Sequence, residues 1–346
     1  MNLKMDFDME KKYKLTDETI KIDGHILHRI QALKDFNDVK KGDLGGFIEK
    51  EENLSHYGTC WIYNDACVYE NARVTNDAHV RANAKVRENA CIYDKAIISD
   101  LAEIYGSARI WDQATVRDYA KVYQGANIHM HADIYEVANI FGQASIWSNA
   151  KVGGNAKIYG NAYVCNNADI AGHADIYGHS IISENSIINE YAEICGNVEI
   201  TGEAEIRGNA KMCQSTDYIV FKNFWSSGRY FTWTRSNNMW KVGCFYGTGE
   251  ELIKRAYRDS KKSGKEYERI VKYVESILAD EEKTTQYLIQ MKRFLNTVMR
   301  SIKRFGEKST EKLEDEEFDK KFIRFFMVFT VIILLWYTVL AIFIWN

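Results

Sequence analysis

Histidine and cysteine are the residues of this 346-residue chain best suited to chemistry, and their spacing decides how much they can do. A histidine can act as general base on an acceptor hydroxyl or amine, and a thiolate can attack or bind metal. Five histidines, His79, His129, His131, His173 and His179, fall within one repetitive stretch. Counted in turns of 18 residues, His131, His173 and His179 occupy three different corners. They therefore cannot converge within one subunit, and no metal site is expected. His131, flanked by His129 and Asp133, is the one catalytic candidate, and a weak one; a site shared between subunits stays open. The seven cysteines, Cys60, Cys67, Cys91, Cys165, Cys195, Cys213 and Cys244, show no CxxC or zinc-ligand spacing. Free thiols and a reducing compartment are the expectation. Gly247-Thr248-Gly249-Glu250-Glu251 lacks the further glycine or Lys-Ser/Thr of a phosphate cradle, and helix capping by Thr248 fits it better.

The element that positions most of these residues is a six-residue repeat. Ile or Val recurs at every sixth position from Ile62 to Ile206, and Met212 ends a series of 26 hexads. Two residues before each, from Ala66 to Ala210, stands Ala, with only Ser180, Ser186 and Val198 departing. A period of six is too short for a helical repeat. The small and the aliphatic residue share the inner face of a short strand, and the following residues turn a corner. Three such units close a triangular coil, so the spacing predicts a left-handed parallel β-helix of eight to nine coils. At roughly 4.8 Å per coil, its length is on the order of 40 Å. The absence of proline from the chain agrees, because the inner backbone amides must all join ladders.

Residues 18 apart then stack on one outer face. One face reads Tyr69, Arg87, Tyr105, Tyr123, Phe141, Tyr159, Tyr177 and Cys195, and a second Tyr93, Trp111, His129 and Trp147. The third carries no such run. The stretch Tyr105, Tyr123, Phe141, Tyr159 and Tyr177 is either a stabilising stack or a contact surface for a partner or a second copy.

The flanks divide the chain into five segments. Residues 1–57 read as a β-hairpin cap, with strands at Lys12–Ile22 and His25–Ala32 joined at Asp23-Gly24. The β-helix occupies 58–213, and a small α+β module, 214–279, follows. That module is read as strands near Asp217–Lys222, Arg229–Thr234 and Met239–Phe245, then helices near Gly249–Ser260 and Glu266–Leu278. A separate helix with the heptad Leu288, Met291, Leu295, Val298, Ile302 and Phe305, plus an acidic spacer, fills 280–321. It suits a coiled coil or an anionic lipid surface. In 322–346, Phe325 to Trp345 is uncharged and long enough to span a bilayer, with Lys320, Lys321 and Arg324 before it. The expectation is a single-pass tail anchor in a bacterial inner membrane with the bulk of the chain cytoplasmic. No signal peptide is read in Met1 to Lys14, and the net charge of −3 gives no electrostatic reason to expect nucleic acid.

The hexads resemble the left-handed β-helix, or hexapeptide-repeat, superfamily, best known from acyl- and acetyltransferases. Arg29-Ile30-Gln31-Ala32-Leu33-Lys34-Asp35-Phe36, Gly42-Asp43-Leu44-Gly45-Gly46-Phe47-Ile48-Glu49 and Glu52-Asn53-Leu54-Ser55 are similar to the YdcK-like group of bacteria and phages. That group is regarded as transferases on the strength of its repeat. Val242 to Tyr267 resembles a small module of phage-related proteins. The resemblance implies an acyltransferase using acetyl-CoA, and by analogy a homotrimer. Such enzymes interrupt their coils with a loop beside the site, whereas this array has none. The residues by themselves favour a non-enzymatic, membrane-tethered scaffold with no cofactor, and the resemblance of the small module implies that it is phage- or prophage-related. Acetyl transfer is the alternative, and a membrane-acting phage or defence effector a third.

Overall fold

The computed structural model describes residues 10–224 and 228–309, and the chain divides into two compact units, Met1–Lys265 and Glu266–Asn346. The first is a left-handed parallel β-helix of about nine turns. Each hexad contributes a two-residue strand that pairs in parallel with the strand 18 residues on, as Lys157 and Ile158 do with Asp175 and Ile176. The strands sort into three faces of 12, 9 and 8 strands. Inside, the aliphatic column from Ile62 to Met212 and the alanines beside it are buried. Ser180 and Ser186 are tolerated in the alanine column because their hydroxyls donate to the turn carbonyls of Tyr177 and Ser183.

Each corner is made by the residue two after the aliphatic one, which has positive φ at every step from Asn64 to Gly208. Non-glycine residues pay for this conformation sterically, and their side chains supply a return. Glu70 accepts from the Glu88 amide at 2.7 Å, and Glu88 from the Gly106 amide at 3.0 Å. Asp118 likewise accepts from Glu136 at 3.0 Å, and Gln124 from Gly142 at 2.8 Å. Corner acids and amides thus satisfy an amide of the next coil that would otherwise face solvent.

The helix begins earlier than the six-residue rhythm indicates. Strand β1 (Tyr13–Ile22) and strand β2 (His25–Ala32) form a hairpin, with Asp23 and Gly24 both at positive φ. Strand β3 (Leu44–Ile48) pairs antiparallel with β2 and parallel with Cys67–Val68, so the hairpin extends one face of the helix. Ile48, Leu54 and Ile62 are the inner residues of this first turn, and its last step is eight residues rather than six. Tyr13, Phe36 and Trp61 cover the open end, where the buried Lys12 Nζ donates to the Cys60 carbonyl at 2.8 Å.

The other end is closed by the small module. Tyr218–Lys222, Tyr230–Thr234, Met239–Val242 and Phe245–Gly247 form an antiparallel sheet, with helix α1 (Gly249–Asp259) packed on it. Tyr218 and Val220 rest against the solenoid core. Thr232 accepts from the Glu205 amide at 3.0 Å, and Lys241 pairs with the Glu205 carboxylate at 2.8 Å. Thr248 caps α1 reciprocally with Glu251, so the glycines around it serve the helix start.

Helix α2 runs unbroken from Lys261 to Ser309. This corrects the two separate helices expected on either side of residue 280. Ala279-Asp280-Glu281-Glu282-Lys283 contains no breaker, and residues of these types propagate a helix. The span Phe325 to Trp345 and the acidic run Glu311 to Asp319 lie outside the described residues. Among the described residues, no helix is long and apolar enough to cross a membrane.

Candidate functional surfaces

The 12-stranded face carries the expected aromatic column. Ring centroids are 4.7 Å apart for Tyr105–Tyr123, 4.9 Å for Tyr123–Phe141, 4.7 Å for Phe141–Tyr159 and 5.1 Å for Tyr159–Tyr177. The planes lie within 11° of parallel at each step. The spacing of paired strands, about 4.8 Å, imposes this stacking. The Arg87 guanidinium sits 4.1 Å from the Tyr105 centroid and closes one end of the stack. At the other end the Tyr177 hydroxyl donates to Glu193 at 2.6 Å, and Lys211 holds the same carboxylate. The ring faces are therefore spent on one another, and the half-buried rings offer solvent mainly their edges and hydroxyls. Burial pushes the Tyr159 phenol up to about 12, so it stays neutral.

Tyr69, the first member of the sequence column, does not belong to this surface. It is fully buried with Leu27, Phe47 and Cys67 beneath the N-terminal hairpin, and its hydroxyl donates to Asp23 at 2.8 Å.

The 8-stranded face carries the second run. Trp111 stacks on Tyr93 at 5.6 Å and on His129 at 4.3 Å, and His129 lies 5.9 Å from Trp147. Tyr163 then meets Trp147 edge-on at 5.7 Å. Burial lowers the His129 pKa, leaving the imidazole neutral near pH 7, with Nδ1 3.8 Å from Asp112. On the third face Arg81 lies over Tyr63 at 5.0 Å and Arg117 over Tyr135 at 4.8 Å, two separate pairs and not a run. Tyr135 also lies flat on Gly153, where a Cβ would come 2.3 Å from its ring.

The histidines remain apart. His131 is exposed at a corner, and the carboxylate expected to flank it is engaged elsewhere: Asp133 binds Arg117 through both oxygens, at 3.2 and 2.8 Å. His173 stacks on Tyr191 at 4.9 Å, His179 is exposed, and His79 is held between Tyr63 and Arg81. The best-placed base is therefore His129, with Asp112 from the preceding coil. Its sequence signal was the 17-residue separation, one short of a full turn.

The cysteines need a correction. Cys195 and Cys213, 18 residues apart, form a disulfide across consecutive coils, with 4.7 Å between their Cα atoms. The stacking count that placed the aromatic rings also brings these two together. Burial raises the Cys67 thiol to about 11 and pushes Cys60 and Cys165 upward, so none of these three is poised as a nucleophile. Among the described residues, no three His, Cys, Asp or Glu side chains gather as a metal site requires.

An open recess of about 590 Å³ lies where the first coils meet the N-terminal cap, lined by Lys50, Asn53, Asn71, Arg73, Asn89 and Cys91 among others. Sequence reading missed it because its lining comes partly from the irregular first turn. Lys50 Nζ already donates to Asn71 at 3.1 Å. The recess holds no histidine to serve as a base.

No family model matches the chain. A segment of 62 residues is 40% identical to the "Uncharacterized acetyltransferase YdcK" of Escherichia coli (strain K12), covering 16% of this chain and 19% of that protein. The match thus spans under a fifth of either chain, and together with the solenoid it supports a β-helix of the hexapeptide-repeat kind.

Proposed function

We propose that the protein is a scaffold: a rigid β-helix that presents its long faces to protein partners and is held at a membrane by the segment Phe325 to Trp345. The observation that carries this reading is the unbroken array. Every step from Ile62 to Met212 is six residues long, so no loop leaves the coils to wall a donor site. Both ends are occupied, by the hairpin and by the small module, which leaves the flanks for recognition. Charged residues such as Glu103, Lys121, Lys157 and Asp175 run beside the aromatic column and would give a partner its register. Association of copies through these faces, as a trimer, is part of the proposal. A link to phages rests on the resemblance of the small module.

Acetyl transfer is the second reading, favoured by the segment similar to YdcK. In that case His129, neutral and beside Asp112, would take the proton from the acceptor, and acetyl-CoA would be the donor. Calorimetry of the full chain in detergent with acetyl-CoA separates the two. Micromolar binding of acetyl-CoA would overturn the scaffold reading. Absence of heat at millimolar acetyl-CoA is the expected result.

A further inference from the structure

Helix α2 carries, in its second half, an apolar face and a cationic face side by side. Leu288, Leu295 and Met299 are 48%, 40% and 61% exposed, and Met291 and Val298 complete the same side. At about 100° per residue, these and Ile302 in the sequence fall within an arc of about 100°, wider with the neighbouring aromatics. The adjoining arc holds Lys292, Lys303, Arg300, Arg293 and Arg304. From Thr284 to Gly306 there is no aspartate or glutamate, and the next acid, Glu307, is within a helical turn of Lys303 and Arg304 only.

We infer that this half of α2 lies on an anionic lipid surface, with its apolar arc among the acyl chains and its five cations among the headgroups. Charge decides between this occupant and a second copy of the helix. A homodimer would bring two sets of five cations together with only Glu307 nearby to offset them, and with Lys292 at the edge of the seam, whereas anionic headgroups neutralise them. The apolar side is also broader than a two-stranded seam uses, which suits an interfacial helix. This inference adds to the membrane tether proposed above a second contact, selective for lipid charge, that does not depend on the tail.

The test is amide hydrogen exchange on the full chain, reconstituted in phosphatidylcholine vesicles with or without about a third phosphatidylglycerol. Amides of 284–306 should exchange about tenfold or more slowly with the anionic lipid, and lose that protection at high salt. A chain carrying Lys292→Gln, Arg293→Gln, Arg300→Gln, Lys303→Gln and Arg304→Gln should show no difference between the two lipids, while its helix content by circular dichroism stays intact. Protection that ignores lipid charge but rises with protein concentration would mean a coiled coil and overturn the inference. Failure of the tether is read separately: the chain would not float with neutral vesicles, while protection by anionic ones would persist.

Discussion

At the residue scale, alanine and histidine report most directly on the packing. Ala120 is fully buried where the coil bends, so Ala120→Leu should overpack the corner and cost about 1–3 kcal/mol, read as a lower denaturation midpoint at unchanged slope. The histidines set a pH dependence with opposing signs. Burial holds His129, His56 and His79 below the ordinary imidazole value. The unfolded chain therefore takes up their protons first, and stability falls as pH drops below about 6.5. His25, raised by its hydrogen bond to Glu49, works the other way: its contribution is present below that pH and fades as pH rises through its folded pKa. His129→Gln should therefore make the change in melting temperature from pH 7.5 to 5.5 less negative, and His25→Gln should make it more negative. A pH response of His129→Gln identical to that of the unsubstituted chain would contradict the assigned burial. The inner residues were legible because a strict period exposes them. The corner acceptors such as Glu70 and Asp118 were not, since their partners lie 18 residues away and a side chain's reach cannot be seen in a hexad. The Cys195–Cys213 pair was legible in principle through that same 18-residue separation, but it forms no CxxC, the spacing by which a cysteine pair is usually recognised.

At the element scale, the aromatic stack and the C-terminal sheet can each be tested by removing one member. Tyr123 contacts a ring on either side, so Tyr123→Ala should lose two stacking interactions and cost roughly 2–4 kcal/mol with its burial. A loss below about 0.5 kcal/mol would mean the stack contributes little to folding and is retained for contact. Glu205 joins the last coils to the sheet through Lys241, both largely shielded, and Lys241→Met should cost about 1–3 kcal/mol, loosening exchange protection in Tyr230–Thr234 before that in the central coils. The sheet was recognisable from its aromatic and β-branched runs. Its use as a lid was not, because that depends on Tyr218 and Val220 meeting core residues from another segment. The first turn escaped notice for a simpler reason: the eight-residue step between Leu54 and Ile62 breaks the beat that identified all the others.

At the scale of the whole molecule, closed ends and uniform coils make the β-helix a surface whose pattern is set by counting. Face assignment, and with it the tryptophan–histidine stack and the tyrosine column, followed from sequence because outer residues at 18-residue intervals must align. What a partner would recognise did not follow, since the rings turn their faces to each other and expose edges whose chemistry depends on flanking charges such as Glu103 and Lys157. The same register makes the molecule a ruler. Duplicating an 18-residue block within the array should lengthen it by one strand spacing, about 4.8 Å, and leave every later side chain on its own face. Duplicating six residues should instead carry everything downstream one face around, splitting the column between Tyr105 and Tyr177 at the point of insertion while both variants fold equally well. Partner binding that survives the first change and is lost in the second would identify the ladder as a code read by position, in which distance along the rod and direction around it are independently adjustable.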